Sequence, residues 1–155
     1  MRFSLGFALS ACALWACAPA ASDAGFPPEI EARIDQERAV CADGMGELEP
    51  VALAEALQRG EFNGDNAVDY VLSHGAFRCT EGGNLYCGSA GCSFTVFMSQ
   101  PGGGLVPIEM GNVQDVAITR DGDRDVLDLA LHGSVVGAQT ESARLRWNGE
   151  EFTSP

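Results

Sequence analysis

The stretch EFNGDNAVDYVL, residues Glu61 to Leu72, marks the change from helical to strand periodicity in this chain. Its first part is rich in the turn formers Asn, Gly and Asp. From Asp69 onward it becomes an apolar run with the β-branched and aromatic residues typical of a strand. Because a helical segment lies before this point and hairpin-linked strands follow it, the sequence predicts an α+β fold.

The segment EIEARIDQERAVC, residues 29–41, has helical periodicity. Ile30, Ile34 and Cys41 recur at i, i+4 and i+11, and prolines at positions 27 and 28 suit the first turn of a helix. Gly44 is a helix stop. We therefore expect one N-terminal helix packed on an antiparallel β-meander. The segment VALAEAL, residues 51–57, fits either a short helix or a strand.

Short runs of strand composition fill the rest of the chain. They are DYVLSHGAF (69–77), SFTVFMSQ (93–100), LVPIEMG (105–111), VQDVAIT (113–119), VLDLALHG (126–133) and RLRWN (144–148). The separators are turn sequences, at residues 82–84, 101–104, 121–122 and 148–149. Trp147 and Phe152 flank the last turn, so we expect them to be core residues or cross-strand partners.

The first twenty residues have the pattern of an export signal. After Met1-Arg2 the chain carries no charge as far as Ser22, and the triplet Ala18-Pro19-Ala20 is a typical cleavage site. A retained membrane helix is disfavoured, because the second half of the stretch is rich in small residues. The predicted organisation is a signal peptide at 1–20, a flexible N-terminus at 21–27, and a single disulfide-stabilised domain at 28–155.

A second processing route is open at Cys12. The tetrapeptide Leu9-Ser10-Ala11-Cys12 resembles the lipobox of bacterial lipoproteins, in which the cysteine is acylated. Only about six apolar residues precede it, fewer than the 7–15 usual for a signal core. We therefore expect a periplasmic or secreted protein, with a lipoprotein at the membrane surface as the alternative.

The chain is acidic. It has 22 Asp and Glu against nine basic residues, all of them Arg, and a formal net charge of −13. Such a surface repels nucleic acid and anionic lipid and attracts cations. We expect no nucleic-acid partner, and no membrane contact unless Cys12 is lipidated. The partner is an unknown protein or small ligand.

Four cysteines remain after signal removal, an even number that suits an oxidising compartment. Four cysteines permit three pairings. The compact loop CGSAGC favours Cys87–Cys92, which leaves Cys41–Cys79. A zinc site is the alternative, but the paired C-x2-C spacing of such sites is absent.

The acidic stretch has calcium-loop spacing. Numbered from Glu61, side-chain oxygens of Glu61, Asn63, Asp65 and Asp69 occupy positions 1, 3, 5 and 9, and the carbonyl of Ala67 occupies position 7. Leu72 at position 12 excludes an EF-hand. The same residues also form Asx-type turns without an ion. Both interpretations are open, and a bound ion would be held weakly, with a Kd on the order of 10⁻⁴–10⁻³ M.

The acidic stretch resembles the D-x-[DN]-G-D-G-x-x-D loop of FG-GAP and VCBS-type repeats. Asn63, Asp65 and Asp69 match that loop, while Glu61 replaces its first aspartate and Asn66 a glycine. The order NGD…DYVL, CGSAGC and RWNG..F is similar to a group of small exported bacterial proteins of unassigned function. The resemblance spans residues 57–98 clearly and 113–152 loosely, and it implies a weak structural calcium site.

The remaining candidates carry little catalytic signal. The second acidic run, RDGDRDVLD at 120–128, is best interpreted as a hairpin turn at Asp121-Gly122. His74 and His132 each end a strand before glycine and are predicted to be partly exposed. A hydrolase using His132 and Ser134 lacks a recognisable acid or oxyanion site.

The sequence therefore favours an exported non-enzymatic binding or interaction module. The alternative is a small periplasmic inhibitor whose disulfide loop enters the cleft of an enzyme. A hydrolase is the least favoured interpretation.

Overall fold

A computed structural model describes residues 25–50, 53–132 and 141–155 of the chain. The predicted signal peptide, Cys12 and Ser134 lie outside these residues. The helices are α1 (Pro28–Ala42) and α2 (Leu53–Ala56), and a single 3-10 turn spans His74–Ala76. The strands are β1 (Leu57–Gly60), β2 (Asp69–Ser73), β3 (Cys87–Gly88), β4 (Gly91–Ser99), β5 (Leu105–Val113), β6 (Asp115–Asp121), β7 (Arg124–Ala130), β8 (Ser142–Trp147) and β9 (Phe152–Thr153).

The strands form two antiparallel sheets. In the first, β1 pairs with β2, β2 and β3 pair with successive parts of one edge of β4, and β5 pairs with the other edge of β4. The second is a meander in the order β6-β7-β8-β9. The predicted α+β class is confirmed, and the division into two sheets is a feature that the local patterns did not contain. The segment 51–57 contributes both a helix and a strand, since α2 leads directly into β1.

The core consists of two layers on either face of the first sheet. Between the sheets lies a cluster that includes Phe62, Val71, Phe94, Val96 and Leu127. Between the first sheet and α1 lies a second cluster. It includes Ile30, Ile34, Leu72, Phe77 and Phe97. Strand residues alternate between the two clusters, as the two-residue period of a pleated strand requires. The predicted pairing of Trp147 with Phe152 is also confirmed, with ring centroids 5.2 Å apart.

Both predicted disulfides are confirmed. Cys41–Cys79 ties the end of α1 to the chain that follows β2, and Cys87–Cys92 joins directly paired residues of β3 and β4. In the chain-entropy model the disulfide with a sequence separation of 38 stabilises the fold by about 4 kcal/mol and the one with a separation of five by about 2 kcal/mol. Two disulfides fit an extracellular or periplasmic location.

The predicted turns at 101–104, 121–122 and 148–149 join neighbouring strands, whereas the one at 82–84 lies in the chain between the 3-10 turn and β3. The hairpin between β6 and β7 closes at Gly122, where φ is +69°, so the second acidic run is a turn as expected. Between β4 and β5, three consecutive glycines at 102–104 all have positive φ, a conformation that glycine adopts without steric cost. Neither described helix is long and apolar enough to cross a bilayer.

The outer edge of β5 is protected against pairing with another strand. Leu105 N donates to the side chain of Glu29 rather than to a strand, at 3.0 Å. By the alternation of an antiparallel ladder, Pro107 also faces this edge, and proline has no N–H to donate. The start of α1 therefore closes the end of an edge strand that would otherwise invite aggregation.

Candidate binding site beside the acidic loop

The side chain of Asp69 organises the acidic loop. It is fully buried at the first residue of β2. Its Oδ2 accepts a hydrogen bond from Phe62 N at 2.7 Å, and its Oδ1 accepts bonds from Ser99 N at 2.7 Å and Ser99 Oγ at 2.6 Å. One carboxyl group thus joins the loop to the end of β4.

The other predicted ligands form Asx-type turns around the same serine. Asp65 accepts hydrogen bonds from Ala67 N at 2.7 Å and from Ser99 Oγ at 3.0 Å. Asn63 Oδ1 accepts from Asp65 N, and its Nδ2 donates to Ser99 O. Glu61 Oε1 accepts from Gly64 N. The hydrogen bond from Ala67 N is the main cause that lowers the pKa of Asp65.

The predicted calcium ligands fall into two groups in the structure. The carboxyl groups of Asp65 and Asp69 meet at the hydroxyl of Ser99, whereas Glu61 bonds within its own turn. Across the described residues, no three His, Cys, Asp or Glu side chains are grouped as a metal-ligand set. Calcium binding therefore stays a prediction.

The second acidic hairpin contacts the first loop. Asp125 Oδ2 accepts a hydrogen bond from Glu61 N, and Asp125 N donates to Glu61 O, both at 2.8 Å. The guanidinium of Arg124 lies against Gly64, where a Cβ would come within 3.0 Å of it. The loop is therefore held from both sheets.

An apolar groove lies between this loop, the start of α1 and the turn from β4 to β5. Its volume is about 370 Å³, compared with about 250 to 290 Å³ for three other surface depressions. We call it the loop groove. Its walls are lined by Pro27, Pro28, Glu29, Ala67, Val68, Tyr70, Ser99, Gln100, Gly103, Gly104 and Leu105. The side chain of Val68 is 47% exposed there.

A second depression continues along α1 from the loop groove. It has a volume of about 250 Å³ and is lined by Glu29, Ala32, Arg33, Gln36, Phe97, Pro107 and Glu109. We call it the helix groove. Glu29 lines both grooves, and its carboxyl group spans from α1 to Leu105 N.

A buried polar network lies under α1. His74 is 1% exposed, and its ring nitrogens are 2.8 Å from Ser93 Oγ and 2.8 Å from Thr95 Oγ1. Thr95 donates its hydroxyl proton to Glu109. We therefore assign the Nε2–H tautomer, in which His74 donates to Thr95 and accepts from Ser93.

The network reaches α1 through Arg33. This guanidinium donates to Glu109 at 3.1 Å, and its Nε lies 2.9 Å from Glu37 as an ion pair that lacks the geometry of a hydrogen bond. Tyr86 donates its hydroxyl to Glu37. Burial, together with that bond, raises the pKa of Tyr86 to about 12.

The expectation of a partly exposed His74 was wrong. The histidine begins the 3-10 turn that folds it under α1, against the rings of Phe77 and Tyr86. Burial, and secondarily the charge of Arg33, lowers its pKa to about 4. His132 is exposed, as predicted.

The disulfide loop that the inhibitor interpretation invokes is the tip of the β3–β4 hairpin. Gly88 and Ser89 are exposed there. Gln114 Nε2 donates to Ser89 O at 3.1 Å, which anchors the tip to the chain after β5. The inhibitor interpretation stays a prediction.

No family model, curated protein or solved structure matches this chain. The likeness of the acidic loop to FG-GAP and VCBS-type repeats stays a prediction as well.

Sequence reasoning did not identify Ser99, Glu29 or Glu109. Ser99 ends a strand that is otherwise strongly apolar, and Glu109 interrupts the run LVPIEMG, which is the only local signal for either residue. Their partners come from β2, the acidic loop and α1, so the contacts depend on strand register.

We expect Asp69→Asn to lower the free energy of unfolding by about 2–3 kcal/mol. The asparagine places an NH₂ group where the carboxylate has an accepting oxygen, so a buried N–H or O–H donor loses its acceptor. Urea denaturation measures the loss. Asp123→Asn, at an exposed turn position, is the charge-matched control and should stay within about 0.5 kcal/mol. Equal losses in the two variants would show that Asp69 does not organise the loop.

The low pKa of His74 predicts a pH-dependent stability. Between about pH 6.5 and pH 4 the unfolded chain binds a proton at this histidine and the folded chain does not, so stability falls as the pH falls through that range. The free energy of unfolding should decline more steeply for the unmodified protein than for His74→Gln. His132→Gln should keep the original slope. Parallel curves for the unmodified protein and His74→Gln would contradict the expectation.

Proposed function

We propose that this chain is an exported, non-enzymatic binding module and that the loop groove is its ligand site. The observation that carries the proposal is the placement of an exposed apolar wall beside a loop fixed by hydrogen bonds. Ligand sites are mostly apolar depressions of about 300–1,000 Å³ with a few polar groups. The loop groove has this size, and Glu29, Ser99 and Gln100 supply its polar side chains.

The walls are held in place before any ligand arrives. Ser99 is bonded to Asp69 and Asp65, and Leu105 N is bonded to Glu29. A preformed site loses little conformational entropy on binding, which favours affinity. Val68 is 47% exposed and lines the loop groove, so it offers an apolar contact surface to a ligand there.

Two tryptophan variants test the site. Val68→Trp fills the loop groove, and Val106→Trp is a matched control, since both valines are 47% exposed and Val106 does not line the groove. The probe is a library of small amphipathic organic fragments, followed by amide chemical shifts of the labelled protein. The fragments that bind should shift the amide signals of residues 67–70 and 99–105.

Val68→Trp should lower the affinity for those fragments at least tenfold. Val106→Trp should change it by no more than twofold. Equal melting temperatures for the two variants would exclude misfolding as the cause. Hits that cluster elsewhere, or that respond equally to both variants, would overturn the assignment of the site.

We also propose that the acidic loop holds one calcium ion weakly. The support is chemical, since Asp65 and Asp69 both approach the hydroxyl of Ser99, whose single proton serves one carboxyl group at a time. The side chains of Glu61 and Asn63 and the carbonyl of Ala67 would complete an oxygen ligand set of the kind that calcium prefers. The affinity is weak because protein donors already occupy the oxygens of Asp69.

Calcium at about ten times its Kd should raise stability by about 1.4 kcal/mol, a melting shift of several degrees. Asp65→Asn should abolish the shift, Asp123→Asn should preserve it, and magnesium should substitute poorly. Identical melting curves in EDTA and in millimolar calcium would mean that the loop is an empty Asx turn.

A further inference from the structure

The loop groove and the helix groove meet at one carboxyl group. Glu29 lines both depressions, and its bond to Leu105 N holds its carboxyl group between α1 and β5. A ligand that occupies both grooves must pass over this side chain. Glu29 is therefore positioned to select the ligand's central group by charge.

The combined length of the grooves suits a short extended peptide. Along α1 they run from Pro28 to Gln36, about 12 Å at 1.5 Å per residue. Along β5 they run from Leu105 to Glu109, about 13 Å at 3.3 Å per residue. An extended chain advances about 3.3–3.6 Å per residue, so four residues span the distance.

The charges along the path favour a cationic ligand. Glu29 lies at the centre, and Glu109, whose side chain is 57% exposed, lies at the far end. Arg33 is the one basic residue among those that line either groove, and its ion pairs with Glu109 and Glu37 leave one carboxylate charge of the three groups in excess. The acidic loop adds the exposed Asp65 behind Ser99.

Backbone pairing along β5 is disfavoured as a binding mode. Leu105 N is occupied by Glu29, and Pro107 has no N–H, so a peptide added to this edge as a further strand would find no donor at either position. This favours recognition by side chains in the grooves.

Resting on the proposed function, we infer that the loop and helix grooves together bind an extended basic segment of a partner protein. An apolar side chain of that segment enters the loop groove beside Val68 and Tyr70. An adjacent arginine or lysine pairs with Glu29. The remaining residues follow the helix groove toward Glu109.

The test uses two blocked tetrapeptides, one of alternating leucine and arginine, the other with citrulline, an uncharged isostere, in place of each arginine. Titrations are followed by amide shifts of the full mature protein. The arginine peptide should bind at least tenfold more tightly, with shifts in both grooves. Raising the salt concentration should narrow the difference, since exposed charges are screened.

Glu29→Gln keeps an oxygen for Leu105 N but removes the charge. It should lower the affinity for the arginine peptide by about five- to tenfold, which is the size of a single charge-assisted contact. The affinity for the citrulline peptide should stay unchanged. Glu31→Gln removes the same charge from an exposed position outside the grooves, and it should change neither peptide by more than twofold. Val68→Trp should weaken both peptides.

Each failure has its own signature. If the two peptides bind with equal affinity and Val68→Trp weakens both, selection for basic segments is overturned and the loop groove remains the ligand site. Spermidine binding as tightly as the arginine peptide would show that charge alone suffices and would also overturn the inference. Fragment hits in the loop groove with no peptide binding would reject the peptide and keep the proposed function. If neither the fragments nor the peptides bind in a way that Val68→Trp weakens, both the peptide inference and the proposed function are rejected.

Discussion

The hydrogen bonds of the buried Asp69 side chain are the constraint on which the rest of the structure depends. Three donors from two segments, Phe62 N and the backbone and hydroxyl of Ser99, converge on one carboxyl group. Removing an acceptor from such a site leaves buried donors unsatisfied, which costs more than the net value of the bonds. The same bonds direct the Phe62 ring into the core between the sheets, where it packs on Phe152. The acidic loop, the packing between the sheets and the wall of the loop groove therefore all depend on these hydrogen bonds.

Polar contacts as well as apolar ones attach the helix to the sheet. Arg33 joins Glu37 to Glu109, and Glu109 accepts from Thr95, which in turn accepts from His74. Such networks add less stability than an apolar core of equal volume, because each group must give up its hydration. Their contribution is to position, since they join α1 to the chain packed beneath it. Arg33 and Glu109 of this network also line the helix groove, whereas His74 is buried.

Local patterns predicted those features whose causes are local. The helix at 28–42, the glycine turns and the cysteine pairing follow from periodicity, turn chemistry and the size of a six-residue loop. His74 was misjudged because a strand-end histidine before glycine has no sequence signal for burial, and the 3-10 turn that buries it depends on packing against Tyr86. The partners of Ser99 were equally inaccessible, since a side-chain contact across 30 residues depends on strand register. The turn residues beside the loop groove stand out in the sequence, whereas its other walls bring α1 and the β4–β5 turn together and have no local signal.

The net charge of the chain acts over a longer distance than the contacts within the grooves. A net charge of −13 attracts any cation, but at physiological salt that attraction fades within about 8 Å of the surface. Long-range charge can therefore raise the rate of encounter without distinguishing one basic partner from another. Discrimination requires a charge held at a fixed place beside an apolar wall, and Glu29, fixed by Leu105 N at the junction of the two grooves, meets that requirement. Glu31 on the same helix adds to the field but lies outside both grooves, so in the proposed site the two acids would differ in what they select.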